Sequence, residues 1–333
     1  MNLPYWIQDL LVALALGVAF LLLWLAGKSD RYERQRRRFL RDKVGLVSLF
    51  VVTLFLAICA ADLLLLPQYN NDGFHLSLLD WCFQKVPQET SYSAPLAWVD
   101  AKGAPLNGRH LLGTDALGSD VLLETLKACR TALLIGSLTS LIYIPIGVLL
   151  GIIAGYFRGW VDDLIQFVYS TVASIPVILL LVSILVVIGK GIPQITLALG
   201  LTSWIGLCRL LRGESMRQAG RQYCEAARAL GQGSWKIITR HLLPNMMHLV
   251  VINFVLGFSG IVLTESILSY IGVGVPIGTA SWGIMIDSAR TELNREPSVW
   301  WNLAAASSAL FLLVLALNLL GDALRKAFDP KAA

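Results

Sequence analysis

The fold is decided by residues 223–244: Tyr223-Cys-Glu-Ala-Ala-Arg-Ala-Leu-Gly231, then Gln-Gly, then Ser234-Trp-Lys-Ile-Ile-Thr-Arg-His-Leu-Leu-Pro244. The stretch from Arg217 to Leu230 is rich in Ala, Arg, Glu and Gln, all good helix formers, with Gly220 as the exception. Gly231 and Gly233 should stop that helix, because glycine readily takes the left-handed turn that closes one. Ser234 is placed to N-cap a second helix, and Pro244 to end it. A helix–turn–helix hairpin is expected, with the small residues Ala226 and Ala227 at its tip, where another protein can approach the backbone closely.

Working outward, the chain on either side of this basic stretch is apolar. Of its 333 residues 56% are hydrophobic and only 15% charged, and the mean hydropathy is +0.66. Runs that exceed the roughly 18–20 apolar residues needed to cross a bilayer as a helix fall at about 7–26, 44–66, 131–157, 164–188, 192–211, 245 onward and 299–320. This is an all-α polytopic membrane protein. Its net charge of +5 does not point to nucleic acid, since most Lys and Arg sit in loops between spans, as the positive-inside rule requires. Residues 28–43 carry eight Lys or Arg against three acids, which puts them in the cytoplasm and the N-terminus outside. The first span follows no basic residue and precedes no small-residue cleavage site, so it is expected to stay as a span rather than be cleaved as a signal. Five cysteines and four histidines are scattered and form no metal-ligand pattern. Gly27-Lys28-Ser29 mimics the end of a phosphate-binding loop, but Leu22 stands where its first glycine is required.

Further motifs flank the spans. His110-Leu-Leu-Gly-Thr-Asp-Ala-Leu-Gly-Ser-Asp120 contains Gly113, Thr114, Asp115, Gly118 and Asp120; its glycines let the chain fold back, and Ser119 or Asp120 caps a helix starting at Val121. Gly147, Gly151 and Gly155 repeat every four residues and make a smooth stripe suited to close helix packing. Glu265 lies about twenty residues into its span, roughly 30 Å along a helix, and so near the outer face. There it is either a snorkelling rim carboxylate or part of the transport path or gate.

Several of these stretches resemble one family. Glu225-Ala-Ala with Gly231 six positions on and Leu243-Pro244 before the next span is similar to the cytoplasmic loop of ABC importer permeases. Residues 110–120, 154–162, 264–272, 281–283 and 321–330 resemble the dipeptide/oligopeptide/nickel branch, in the same order along the chain. Ser119 replaces that branch's usual arginine, and Ser266 and Tyr270 replace alanine and phenylalanine. The resemblance implies a type I ABC importer permease fold of six core transmembrane helices, here with one extra N-terminal helix. It divides the chain into the extra helix (1–30), a basic segment with the first core helix (31–66), a periplasmic loop (67–120), and a permease core (121–330) with a coupling loop at 212–243. It implies a second homologous permease, two ATPase subunits that bind ATP and Mg, and a periplasmic or lipid-anchored solute-binding protein, in the bacterial inner membrane. This chain would bind no cofactor or metal and perform no catalysis. Peptides or peptide-like compounds are the expected cargo; nickel complexes and glutathione remain alternatives. A secondary transporter is the rival class; it would need ionisable groups or broken helices near the bilayer midplane.

Overall fold

The computed structural model describes residues 33–69, 75–83, 91–99, 105–106 and 110–328. The expected span at 7–26 and the end of the 321–330 motif lie outside these. A short helix α1 (Glu33–Phe39) leads into α2 (Lys43–Leu63), whose first turn is capped by Asp42 Oδ1 accepting from Val44 N and Gly45 N. A two-stranded antiparallel ribbon, β1 (Leu65–Tyr69) and β2 (His75–Ser77), precedes the short α3 (Leu78–Phe83). The bundle is then built by α4 (Val121–Phe157), α5 (Gly159–Ala173), α6 (Val177–Ile188) and α7 (Ile192–Ala219). After the hairpin helix α8 (Gln222–Ala229) comes a rod made of α9 (Ser234–Ile237), a π-helical turn (Ile238–Leu242) and α10 (Leu243–Tyr270). The last helices are α11 (Trp282–Glu292) and α12 (Trp301–Phe328). Among the described residues five helices are long and apolar enough to cross a membrane, six if α5 and α6 count as one bent span.

The core lies around α4, which packs against α7, α10, α2 and α12. The longest seam, α4 on α7, depends on glycine. A Cβ added at Gly147 would stand 3.1 Å from the carbonyl oxygen of Trp204, at Gly151 2.7 Å from that of Cys208, and at Gly155 2.5 Å from that of Arg212. Three glycines four residues apart thus face three carbonyls four residues apart, in the same chain direction, and the backbones come closer than any side chain would allow. α4 passes Pro145 as a single element.

Three expectations are corrected. The predicted span at 164–188 is two helices bent by 84°. Ser174 ends α5, its hydroxyl donating back to Thr171 O at 2.7 Å, and Pro176 keeps Ile175 from continuing the helix. The helix expected from Arg217 through Leu230 breaks at Gly220, which ends α7. Finally, Pro244 does not end the second hairpin helix, and Ser234 is its first residue, not its cap; Gly233 takes the cap position. The rod runs unbroken for 37 residues from Ser234 to Tyr270. A proline inside a helix removes one N–H and crowds the carbonyl four residues back. The π turn, in which Leu243 N bonds to Ile238 O, widens the ladder just where Pro244 enters.

Candidate functional site

The hairpin projects from one end of the bundle. Its first arm, α8, closes in a Schellman turn: Gly231 N donates to Arg228 O (2.9 Å) and Gln232 N to Ala227 O (3.0 Å). Gly231 has φ +74°, so a side chain there would be strained. The underside is apolar and dry, with Cys224, Ala227, Ile237, Ile238 and Leu242 buried. Burial pushes both the Tyr223 phenol and the Cys224 thiol above their ordinary values, so each stays protonated near neutrality. The opposite face exposes Glu225, Ala226 and Gly231, together with Leu230 (81% exposed) and Trp235 (57%). The two tip alanines therefore divide: Ala226 faces out, whereas Ala227 seats the helix on its own protein. Leu243 and Pro244 are half-buried in the continuing rod, away from the exposed tip.

Beside α8 lies an open polar cleft of about 410 Å³ lined by Tyr156, Arg158, Ala219, Gly220, Glu225 and Arg228. Arg228 stacks over the Tyr156 ring at 5.1 Å, and Arg158 Nη2 donates to Met216 O at 3.1 Å. Just inside the bundle, Arg212 grips Asp162 through two bonds of 2.5 and 2.7 Å, tying α5 to α7 in the fork geometry that favours guanidinium–carboxylate pairs. Leu230 and Trp235 were missed in the sequence. Their signal was large apolar residues standing alone in a basic, glycine-marked turn.

At the opposite end, residues 110–120 form a knot that pins the loop to the bundle. Asp120 Oδ1 accepts from Leu123 N (3.0 Å) as the N-cap of α4, and its Oδ2 bonds the buried His110 Nδ1 at 2.8 Å. Asp115 Oδ1 accepts from Leu117 N and Ser119 N, both at 2.8 Å, and Gly118 N donates to Asp115 O at 3.2 Å. Thr114 is fully buried. Its hydroxyl accepts from Ser93 N (2.8 Å), and its carbonyl accepts from Trp301 Nε1 (2.9 Å). A Cβ at Gly113 would meet Ser93 O at 2.5 Å. Asp115, Thr114 and Asp120 thus spend their bonds inside the knot, while the buried His110 Nε2 has no hydrogen-bond partner among the described residues.

Glu265 is not a snorkelling rim carboxylate. It is 1% exposed and accepts from the hydroxyls of Ser269 (2.7 Å), Ser281 (3.0 Å) and Ser266 (3.4 Å). Ser281 also N-caps α11 by accepting from Gly283 N at 3.2 Å, so Glu265 fastens α11 to α10. Trp282 completes the joint, donating to Thr125 O at 3.0 Å and meeting Phe55 edge-on. Gly283 is required here because a Cβ would stand 2.3 Å from Ser266 O. Among the described residues no group of three or more His, Cys, Asp or Glu is arranged to hold a metal ion.

A bundle of apolar spans, two of which lead into one exposed hairpin, defines a multi-pass membrane protein. Residues 147–333 match the family profile described as binding-protein-dependent transport system inner membrane component, and the chain belongs to that family. It is 32% identical over 295 residues to the glutathione transport system permease protein GsiD of Pectobacterium atrosepticum, covering 89% of each chain. It is 29% identical to the oligopeptide transport system permease protein OppC of Haemophilus influenzae, over 92% of this chain and 90% of that one. With the di/tripeptide transport system permease protein DppC of Pseudomonas aeruginosa it shares 35% identity, over 71% and 76% respectively.

Proposed function

We propose that this chain is the permease subunit of an ATP-driven importer for peptides or peptide-like compounds, and that the 212–243 hairpin is where ATPase subunits drive it. The observation that carries this is the continuity of the hairpin with the membrane. Its second arm is the start of the 37-residue rod itself, and its first arm, α8, is joined to α7 by Gly220 and Arg221 and to the rod by the hydrogen-bonded turn at 230–233, so a push on α8 reaches membrane helices through short links on both sides. The exposed Glu225, Ala226, Leu230 and Trp235 offer a charged and apolar surface on a rigid element, suited to docking in a groove. In this arrangement the hairpin end is cytoplasmic and the 110–120 knot lies outside. A second related permease completes the path, and a binding protein delivers the solute. ATP and Mg sit on the two ATPase subunits, and the residues of this chain bind, position and transmit. The relatives named for glutathione, oligopeptide and di/tripeptide transport support a peptide-like cargo; nickel complexes are the alternative. Glu265, sealed among serines at the far end of the rod, is suited to hold the outer gate joint between α10 and α11.

A secondary transporter is favoured by one feature, the broken pair α5–α6. From Leu164 to Ile188 that pair carries no Asp, Glu, His, Lys or Arg, where ion coupling needs one. The test is uptake of a labelled peptide mixture by cells or proteoliposomes carrying the whole transporter. Gly231→Pro, which cannot take φ +74°, and Glu225→Lys are expected to abolish uptake while the chain remains inserted. Normal uptake by either, or uptake driven by an ion gradient without ATP, would sink the coupling claim.

A further inference from the structure

α7 and α8 are joined by Gly220 and Arg221, and Gly220 is exposed, with nothing within 4 Å of where its Cβ would be. Left to the backbone, this is a hinge. A relay of side chains closes it. In the last turns of α7, Glu214 Oε1 accepts from Arg217 Nη2 (2.8 Å) and from Gln218 Nε2 (2.6 Å). Because a carboxylate only accepts, the Gln218 amide must turn its NH2 to Glu214 and its oxygen the other way. That oxygen accepts from the Tyr223 hydroxyl at 2.7 Å, across the hinge in the first turn of α8. The Tyr223 ring then lies near the His241 ring, with centroids 6.4 Å apart. His241 Nε2 donates to Gln232 Oε1 at 3.1 Å, and Gln232 N closes the far end of α8. The relay thereby holds α8 at both ends, and burial keeps the tyrosine protonated as its donor.

We propose that Tyr223 and Gln218 form a clamp across the Gly220 hinge, setting how much of a movement applied to α8 reaches α7 and the glycine seam. This rests on the reading of α8 as the helix that docks on the ATPase. They are positioning residues: neither touches solute or nucleotide. A switch between two arrangements of packed helices needs its input element stiff, and the Tyr223–Gln218 bond adds to the lone backbone bond within the link, Arg221 N to Gln218 O at 3.1 Å, to supply that stiffness.

The test uses the complete transporter with its ATPase subunits, reconstituted in proteoliposomes, in a Cys82→Ser background. Spin labels replace the exposed Ala229 on α8 and Leu210 on α7. In the parent the distance distribution between them should be narrow. In Tyr223→Phe and in Gln218→Met it should broaden, and labelled peptide moved per ATP hydrolysed should fall about fivefold, the weight of one hydrogen bond. The double variant should be no worse than Gln218→Met alone, since that change already deletes the Tyr223 bond along with the Glu214 one. Gly220→Ala added to Tyr223→Phe should narrow the distribution again and restore part of the ratio by stiffening the link. A narrow distribution and parental ratio in Tyr223→Phe would overturn the clamp. Glu225→Lys separates the two claims: if that complex keeps its ATPase subunits and its parental ratio, the docking reading itself fails; if it loses them while Tyr223→Phe stays parental, the clamp alone fails.

Discussion

The α4–α7 seam and the hairpin below it use the same helix in opposite ways. Within the bundle α7 meets α4 backbone to backbone, with Gly147, Gly151 and Gly155 against carbonyls and almost no polar side chain involved; Ser215 Oγ on Ile152 O, at 3.2 Å, is one crossing bond. Two turns further on, α7 holds α8 through an amide and a phenol, while an imidazole on the rod holds the far end of α8. The difference follows from solvent. Lipid offers no hydrophobic drive between helices, so close van der Waals fit and small residues hold them. Outside the membrane water competes for every polar group, and a short hairpin is fixed by satisfied hydrogen bonds over a small dry underside. The seam tolerates no added volume; the hairpin tolerates volume but not lost bonds.

The comparison can be broken most forcefully at the seam. Gly155→Leu has to displace the Arg212 carbonyl and the Ser215 Cβ, 2.5 and 2.6 Å from its own Cβ, and should cost about 3 kcal/mol. Thermal unfolding in detergent would show this as a large fall in midpoint. Gly213→Ala on the facing helix, which meets open space, should be neutral or slightly stabilising. Next in size is Asp162→Asn, where seam and hairpin meet. It removes the charge that Arg212 grips, at a cost of about 2 kcal/mol, and Arg212→Gln added to it should recover part of the loss in the same assay. The smallest effect belongs to the opposite end. Glu292 is 1% exposed and accepts from Asn302 Nδ2 at 3.1 Å. Burial raises its pKa, the Asn302 bond and Arg295 lower it, and Asp115 raises it further. A carboxyl raised in the folded state favours the protonated form. Its contribution is therefore full at acid pH, below the ordinary carboxyl value, and is lost as pH rises through the raised value. Stability measured across that window should decline in the parent and flatten in Glu292→Gln.

Much of this was legible in the sequence, for reasons that differ by residue. The glycine stripe was readable because a four-residue period of the smallest side chain has one obvious geometric use. A cap at Ser119 or Asp120 was readable because both lie just before a long apolar helix, and folding chose Asp120. The hairpin turn at Gly231 was readable from residue type. Its second arm was not, because Pro244 is a stop signal unless a π turn makes room, and nothing in residues 238–242 announces one. The bend at Ser174–Pro176 carried a visible proline, but an apolar run of sufficient length suggested a single crossing. For Glu265 the sequence left a rim carboxylate and a path or gate residue both open, because its serine partners, Ser269 and Ser281, are recruited by folding, and Ser281 comes from beyond the next turn. The Tyr223–Gln218 clamp went unseen for a similar reason: its partners span a helix break that composition did not show.

The broken pair α5–α6 has a consequence for where the bilayer begins. α6 starts at Val177 with no side chain capping it, so its first N–H groups have no partner within the helix. Residues 173–179 are exposed along the break. Hydrocarbon cannot hydrogen-bond those groups, and irregular backbone at membrane depth persists only against protein or water. The side of the subunit that carries the bend is therefore not shoreline. Whatever fills the gap around Pro176 at membrane depth must bring hydrogen bonds of its own.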